Sequence, residues 1–327
     1  MAYSEQYKKT VCKHYHNSPH TVRQSADLFG INRDTINEWQ KVYKPEKQPH
    51  QPYLSKATFH KHIKILFLDI ETLPTIGVFY SRQNPWVSPK QIIQHGMIAS
   101  FQYAYNDGAV INMNAWDMGL VPDKGMLQPK HVQSLVKFMR DIVDDADIVV
   151  GHNGKRFDIA KLYGFLVKHD FAPMRQPDIY DTLTAARRIG KFEANSLDDL
   201  AHYFGITRKL AGGMSYDRGI QALCGDEATW REIIDYGDND VHMLRELYLK
   251  IRPHSIGNLH PNMNHYFADL KTRCVVCGST NIKYLPDYKR TPVQAYNMAR
   301  CDTCGHLMQE RTTAVSKEKK EAFLKSC

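Results

Sequence analysis

The residues in this chain that could do chemistry are a set of carboxylates and a set of cysteines. Ile65-Leu66-Phe67-Leu68-Asp69-Ile70-Glu71-Thr72 is an apolar, strand-forming run that ends in two acids. Side chains alternate across a strand, so Asp69 and Glu71 project to one side and Leu68, Ile70 and Thr72 to the other. Two like charges at the tip of a buried strand repel. A divalent cation between them, or a raised pKa on one of them, relieves the repulsion. The ordinary alternative is a solvated strand end. Further along, in Val150-Gly151-His152-Asn153-Gly154-Lys155-Arg156-Phe157-Asp158, glycines turn the chain and Asp158 stands where a helix begins. The helix dipole alone also favours an acid there. Tyr236 and Asp240 stand four apart in a segment whose Ile233, Ile234, Val241 and Leu244 form an apolar stripe, so the two share one helix face.

Four of the seven cysteines form two Cys-x-x-Cys pairs, Cys274/Cys277 and Cys301/Cys304, each followed by glycine and separated by 23 residues. In a reducing compartment that spacing points to metal rather than disulfides. Four thiolates make a closed tetrahedral site, so one structural Zn²⁺ is expected, in a module similar to a zinc ribbon. Lys283, Tyr284, Tyr288, Lys289 and Arg290 lie between the pairs, basic and aromatic types suited to phosphates and base stacking. Cys12, Cys224 and Cys327 are read as ordinary thiols. His60 and His62 are read as solvated or strand-edge residues, and His152 and His242 as structural histidines, since hard metals prefer oxygen.

The elements that must position these groups alternate from Ile63 onward. Ile63–Ile70 reads as a strand, and Met97–Tyr105 with Val110–Trp116 as a hairpin across Asn106-Asp107-Gly108. A helix at 130–144, a strand at 147–151, a helix from Asp158 to His169, a strand at 178–180 and a helix through Arg187 follow. Two antiparallel joins and then β-α-β units predict a mixed sheet with helices on both faces. Thr207–Met214, basic and glycine-rich, reads as a substrate loop or a plain connection.

The first fifty residues carry a different pattern. Three helices are predicted at 4–16, 21–31 and 32–43, with Gly30 ending the second and Asn32 capping the third. This stretch resembles the helix-turn-helix of transposase-type and resolvase-type domains. The resemblance implies that Asn32, Arg33, Thr35, Asn37 and Lys41 face DNA; a trihelical packing module is the alternative. A proline-punctuated linker follows. The expected domains are a helix-turn-helix at 1–44, a linker at 45–62, an α/β domain at 63–255, a zinc ribbon at 256–313 and a basic tail at 314–327, helical or disordered.

Taken in order, Asp69-Ile70-Glu71, Asn153 with Phe157-Asp158, and Tyr236-x-x-x-Asp240 resemble the three exonuclease motifs of the DEDD, or DnaQ-like, 3′–5′ exonucleases of the ribonuclease H-like superfamily, with the YprB-like variant nearest. Asp181-Thr182-Leu183 and Ser196–Ile206 resemble segments of proofreading-type domains. The likeness covers about residues 63–252 and implies a ribonuclease H-like mixed sheet. It also implies two Mg²⁺ or Mn²⁺ ions on Asp69, Glu71, Asp158 and Asp240, a water oriented by Tyr236 with help from Glu71, and a strand contacted by Asn153 and Phe157. The activity implied is metal-dependent 3′–5′ hydrolysis of DNA. A DNA-binding adaptor with an inactive nuclease fold, or a structure-specific endonuclease or ribonuclease, are the alternatives.

Charge distribution agrees with a polyanionic partner, DNA favoured over RNA. The net charge of +8 divides into +3 for residues 1–50 (eight Lys/Arg less five Asp/Glu), −1 for 51–270 (24 less 25) and +6 for 271–327 (11 less five). Ordinary solubilising charge would account for +3 more easily than for +6. No run approaches the roughly 18 apolar residues of a membrane span, and Met1–Gln6 has no apolar signal region, so the expected location is cytoplasmic.

Overall fold

The computed structural model describes residues 3–17, 20–43, 59–60, 62–79, 87–119, 129–206 and 215–324. Most of the expected linker and all of Thr207–Met214 lie outside the described residues. The strands are β1 (Ile65–Leu73), β2 (Ile76–Gly77), β3 (Ile92–Gln94), β4 (Met97–Tyr105), β5 (Ile111–Asn114), β6 (Ile148–Gly151) and β7 (Asp178–Asp181), then β8 (Ile282–Arg290), β9 (Ala295–Cys301) and β10 (Leu307–Gln309). The helices are α1 (Glu5–Asn17), α2 (Val22–Phe29), α3 (Arg33–Val42), α4 (Pro129–Asp145), α5 (Asp158–Lys168), α6 (Thr182–Ile189), α7 (Leu197–Tyr203), α8 (Tyr216–Leu223), α9 (Glu227–Ile251) and α10 (Lys317–Glu321).

The central sheet has five strands in the order β5-β4-β1-β6-β7. β4 pairs antiparallel with β1 and β5, while β6 pairs parallel with β1 and β7. This is the mixed α/β sheet flanked by helices that the sequence predicts, with the carboxylate-bearing strand at its centre. Two differences are small: β5 stops at Asn114 rather than reaching Trp116, and β2 with β3 forms a two-stranded ribbon that alternation did not reveal.

Alternation along β1 sorts the core into two layers. Leu66, Leu68 and Ile70 face one layer with Val136, Met139 and Val143 of α4. Ile65 and Phe67 face the other with Val241, Leu244 and Tyr248 of α9. Asp69 and Glu71 continue the Phe67 parity and therefore lie on the α9 side. A register shift between Glu71 and Thr72 ends the regular ladder beside the two acids, where bulges commonly re-aim side chains.

The N-terminal helices are capped as the sequence implies: Gly30 is left-handed at φ 64° and Asn32 accepts the Asp34 amide. They do not stand apart from the sheet. Val11, Ala26, Phe29 and Ile36 are buried in the same layer as α4 and Tyr103. A polar chain fastens them: His14 Nδ1 meets the Tyr103 hydroxyl, His14 Nε2 lies 2.8 Å from His20 Nδ1, and His20 Nε2 lies 2.8 Å from Asp145. Lys64 Nζ closes the chain on Asp145 at 2.6 Å. On α3, Arg33, Asn37 and Lys41 are exposed and Thr35 is half-buried.

β8, β9 and β10 form the sheet of the cysteine module. It rests on the end of α9: His306 bonds the Pro253 carbonyl at 2.8 Å, and Met263, just ahead of the first cysteine pair, is buried in the α9 layer. His60 is not solvated as expected; its ring packs edge-on against Phe267, 5.0 Å between centroids.

Candidate active site

Three carboxylates converge under α9. Asp69, Glu71 and Asp240 each place an oxygen within 4.8 Å of the others. The local sequence accounts for the convergence. β1 presents Asp69 and Glu71 on one face, and α9 crosses that face with Gly237 and Asp240 turned inward, both buried. Gly237 is required by the close approach: a Cβ there would come within 2.5 Å of the Gln102 amide, and Gln102 is fully buried with its Nε2 donating to Ser100 at 2.8 Å. Gly237→Ala is expected to push α9 off β4, lower stability by about 1–3 kcal/mol and weaken divalent-ion binding. Calorimetry with and without Mg²⁺ checks it.

Asp158 sits beside the trio rather than within it. It opens α5 and is 2% exposed. β6 pairs with β1 only as far as Phe67, so the next amides on that edge lack a strand partner, and the Ile70 amide donates to Asp158 Oδ1 at 3.0 Å. Asn153, left-handed at φ 63°, and the contact of Gly151 with Gly154, where a Cβ would stand 2.9 Å from the facing Cα, make the tight turn into α5.

Burial and mutual repulsion set the protonation of the cluster. Burial pushes Asp69 up to about 6. Burial, then Asp69 and Asp240, push Glu71 up to about 9. Burial and Asp69 raise Asp240 to about 8 against a hydrogen bond from Tyr236. Asp158 is raised by burial and by Asp69. Burial and Asp240 raise the Tyr236 phenol, which stays protonated and donates to Asp240. Since the folded values exceed the ordinary ones, folding binds protons here. The metal-free protein keeps this stability below about pH 4 and loses it as pH rises through 6 to 9. Its Tm is expected to fall on the order of 5–10 °C over that interval and to recover with Mg²⁺. Parallel melting curves with and without Mg²⁺ would contradict this.

The cluster fits a hard cation. Its donors are all carboxylate oxygens, and Asp240 Oδ1 is buried with no hydrogen-bond partner among the described residues. The cysteine module fits a softer one. Its four sulfurs lie within 4.8 Å of one another, with Cys274–Cys304 and Cys277–Cys301 at 3.6 Å. That is close to the ~3.8 Å edge of a tetrahedron built on Zn–S bonds of about 2.3 Å, and far from a disulfide. Gly278 and Gly305, at φ 73° and 82°, return amides to the Cys274 and Cys301 carbonyls.

The remaining expected residues are dispersed. Phe157 is exposed next to Asp158, and Asn153 is half-buried in the turn. Lys289 and Arg290 are exposed on β8, where Arg290 is paired with Asp287 at 3.1 Å. Asp238 accepts from Asn112 at 3.0 Å, away from the cluster. His152 bonds Thr182 and the Asn195 carbonyl, each at 2.9 Å, and is structural. Sequence reasoning missed Gln102 and Ser100, which pair with Asp69 and Glu71 across the ladder. Their signal was a polar alternation, Ser100-x-Gln102, inside an otherwise apolar strand.

Residues 121–252 match the family model of the RNase_H superfamily. The span includes Asp158, Tyr236 and Asp240 and begins after Asp69 and Glu71. No curated protein matches the chain. Among solved structures, the family B DNA polymerase of the hyperthermophilic archaeon Pyrobaculum calidifontis is 17% identical with a TM-score of 0.41, covering 58% of this chain and 25% of the polymerase chain. No helix among the described residues is long and apolar enough to cross a membrane.

Proposed function

We propose that this protein is a metal-dependent 3′–5′ exonuclease that hydrolyses phosphodiester bonds, with DNA the preferred substrate. The observation that carries the reading is the trio of half-buried Asp69 and Glu71 with buried Asp240, whose oxygens lie within 4.8 Å of one another. Among the described residues no cationic side chain is ion-paired with these three acids, and a divalent ion would relieve their mutual repulsion. The match of residues 121–252 to the RNase_H superfamily supports a nuclease.

Asp69, Glu71 and Asp240, with Asp158 alongside, would hold Mg²⁺ or Mn²⁺. The bound ions supply charge neutralisation at phosphorus and a deprotonated water at neutral pH. The protein's own part is orientation. Tyr236 keeps its proton and fixes the Asp240 carboxylate through their hydrogen bond, leaving its own oxygen lone pair to align the attacking water. Glu71, raised by burial and by both acidic neighbours, is placed to accept a proton. Asn153 and Phe157 flank the entry to α5 and bear on the substrate strand. The four cysteines would hold one Zn²⁺ that keeps the ribbon folded, with Lys289 and Arg290 beside the nucleic acid. Arg33, Thr35, Asn37 and Lys41 of α3 would contact DNA.

Single-stranded, duplex and RNA substrates labelled at either end distinguish the possibilities. The expected result is a ladder of single-nucleotide steps from the 3′ end, faster on DNA. One internal product would favour an endonuclease, and no product with any divalent ion would favour an adaptor.

A further inference from the structure

Along α5, starting at Phe157 next to Asp158, lies a groove of about 590 Å³ of which the chemistry above uses only Phe157. Its floor is Ala160, Gly164 and the buried ring of Phe165, on successive turns of α5. Gly164 leaves the floor open, since a Cβ added there would meet nothing within 4 Å. Arg156, Lys161 and Lys168 line the rim, and among the described residues no carboxylate does. Among the described residues none of these three cations is ion-paired. Lys161 and Lys168 instead lie 5.7 Å over the rings of Phe157 and Phe165. Phe157, 38% exposed, stands at the end of the groove adjoining Asp158.

We propose that this groove is the track for the single strand on the 5′ side of the scissile phosphate. The inference rests on reading the carboxylate cluster as the cutting centre. An isolated row of lysines is ordinarily a solvated face, but here the cations flank an apolar floor with an exposed aromatic ring at the end nearest the acids. That pairing of stacking surface and backbone charge is what a sequence-tolerant single-strand site needs. The stripe from Phe157 to Lys168 runs about 16 Å along the helix, room for a few nucleotides. A strand whose terminus enters the acid cluster, where repulsion is relieved by metal, would meet Phe157 first and then Lys161 and Lys168.

The test is binding of fluorescein-labelled single strands of about 12 nucleotides, DNA and RNA, by anisotropy without added divalent ion. The full-length wild type is compared with Lys161→Ala/Lys168→Ala and with Lys137→Ala/Lys250→Ala, which removes the same charge elsewhere. The groove variant is expected to bind roughly tenfold more weakly, with a salt dependence shallower by about 1.4 in log–log slope, two phosphate contacts at ~0.7 each. The control should stay within about twofold of wild type. The DNA and RNA arms show which sugar the track prefers, and a loss on either supports it. A groove variant indistinguishable from wild type, or a control that loses as much, would overturn the proposal. Cleavage does not enter this readout: a wild type that binds here but never cuts overturns the nuclease reading and leaves the groove standing.

Discussion

Asp69→Asn or Asp240→Asn is expected to cut Mg²⁺-dependent nucleotide release by about three orders of magnitude or more, with the fold retained. The two acids sit opposite one another, one on β1 and one on α9, and each contributes an oxygen to the cluster. An amide keeps the shape but removes a negative charge, so a divalent ion loses most of its reason to bind. The same substitution should raise stability in the absence of metal, because Asp69 and Asp240 each raise the pKa of Glu71 by repulsion. Activity that falls while the metal-free Tm rises is a combination that simple misfolding does not produce. Steady-state rates and melting curves on the same preparations measure both.

Removing the thiolate metal is expected to give the second-largest effect. Cys277→Ser or Cys301→Ser, or a strong chelator, should unfold the cysteine module, since a structural zinc supplies on the order of 10 kcal/mol to a small module that binds one. Cys274, Cys277 and Cys301 are fully buried and with Val276 make up most of the module's small core, so little else holds β8–β10 together. The damage should reach the end of α9. His306 anchors the cysteine module to the Pro253 carbonyl, and Tyr248, fully buried, bonds His260 at 2.9 Å. Zinc quantitation and hydrogen exchange over residues 245–310 check it: loss of one zinc per chain should accompany faster exchange at Tyr248 and Ile251. The sheet amides of β1 and β4 should be little changed.

The sequence was most informative where short-range rules suffice. Alternation put Asp69 and Glu71 on one face, Gly30 and Asn32 announced a turn and a cap, and the spacing of the cysteines foretold four sulfurs in one place. It was silent where distant surfaces must match. Nothing in residues 5–29 says that Val11 and Phe29 bury against the sheet, because an amphipathic helix does not name its partner. In the His14–His20–Asp145 chain the second histidine and the acid are 125 residues apart in sequence, a contact no local pattern contains. α8 also went unread, its Ser215 cap lying just after Thr207–Met214. Asp158 shows the subtler limit. Its place at the start of α5 was legible, but its use by the Ile70 amide depends on where β6 happens to stop.

The central claim is that Asp69, Glu71 and Asp240 form a divalent-metal centre, and Mn²⁺ binding followed by electron paramagnetic resonance tests it most directly. The zinc-loaded chain is titrated in the presence of a nucleoside 5′-monophosphate, the product such a centre would release. Two Mn²⁺ per wild-type chain are expected, with loss of both in Asp69→Asn and of at least one in Asp240→Asn. Wild-type binding no greater than that of the Asp69→Asn variant would contradict the account.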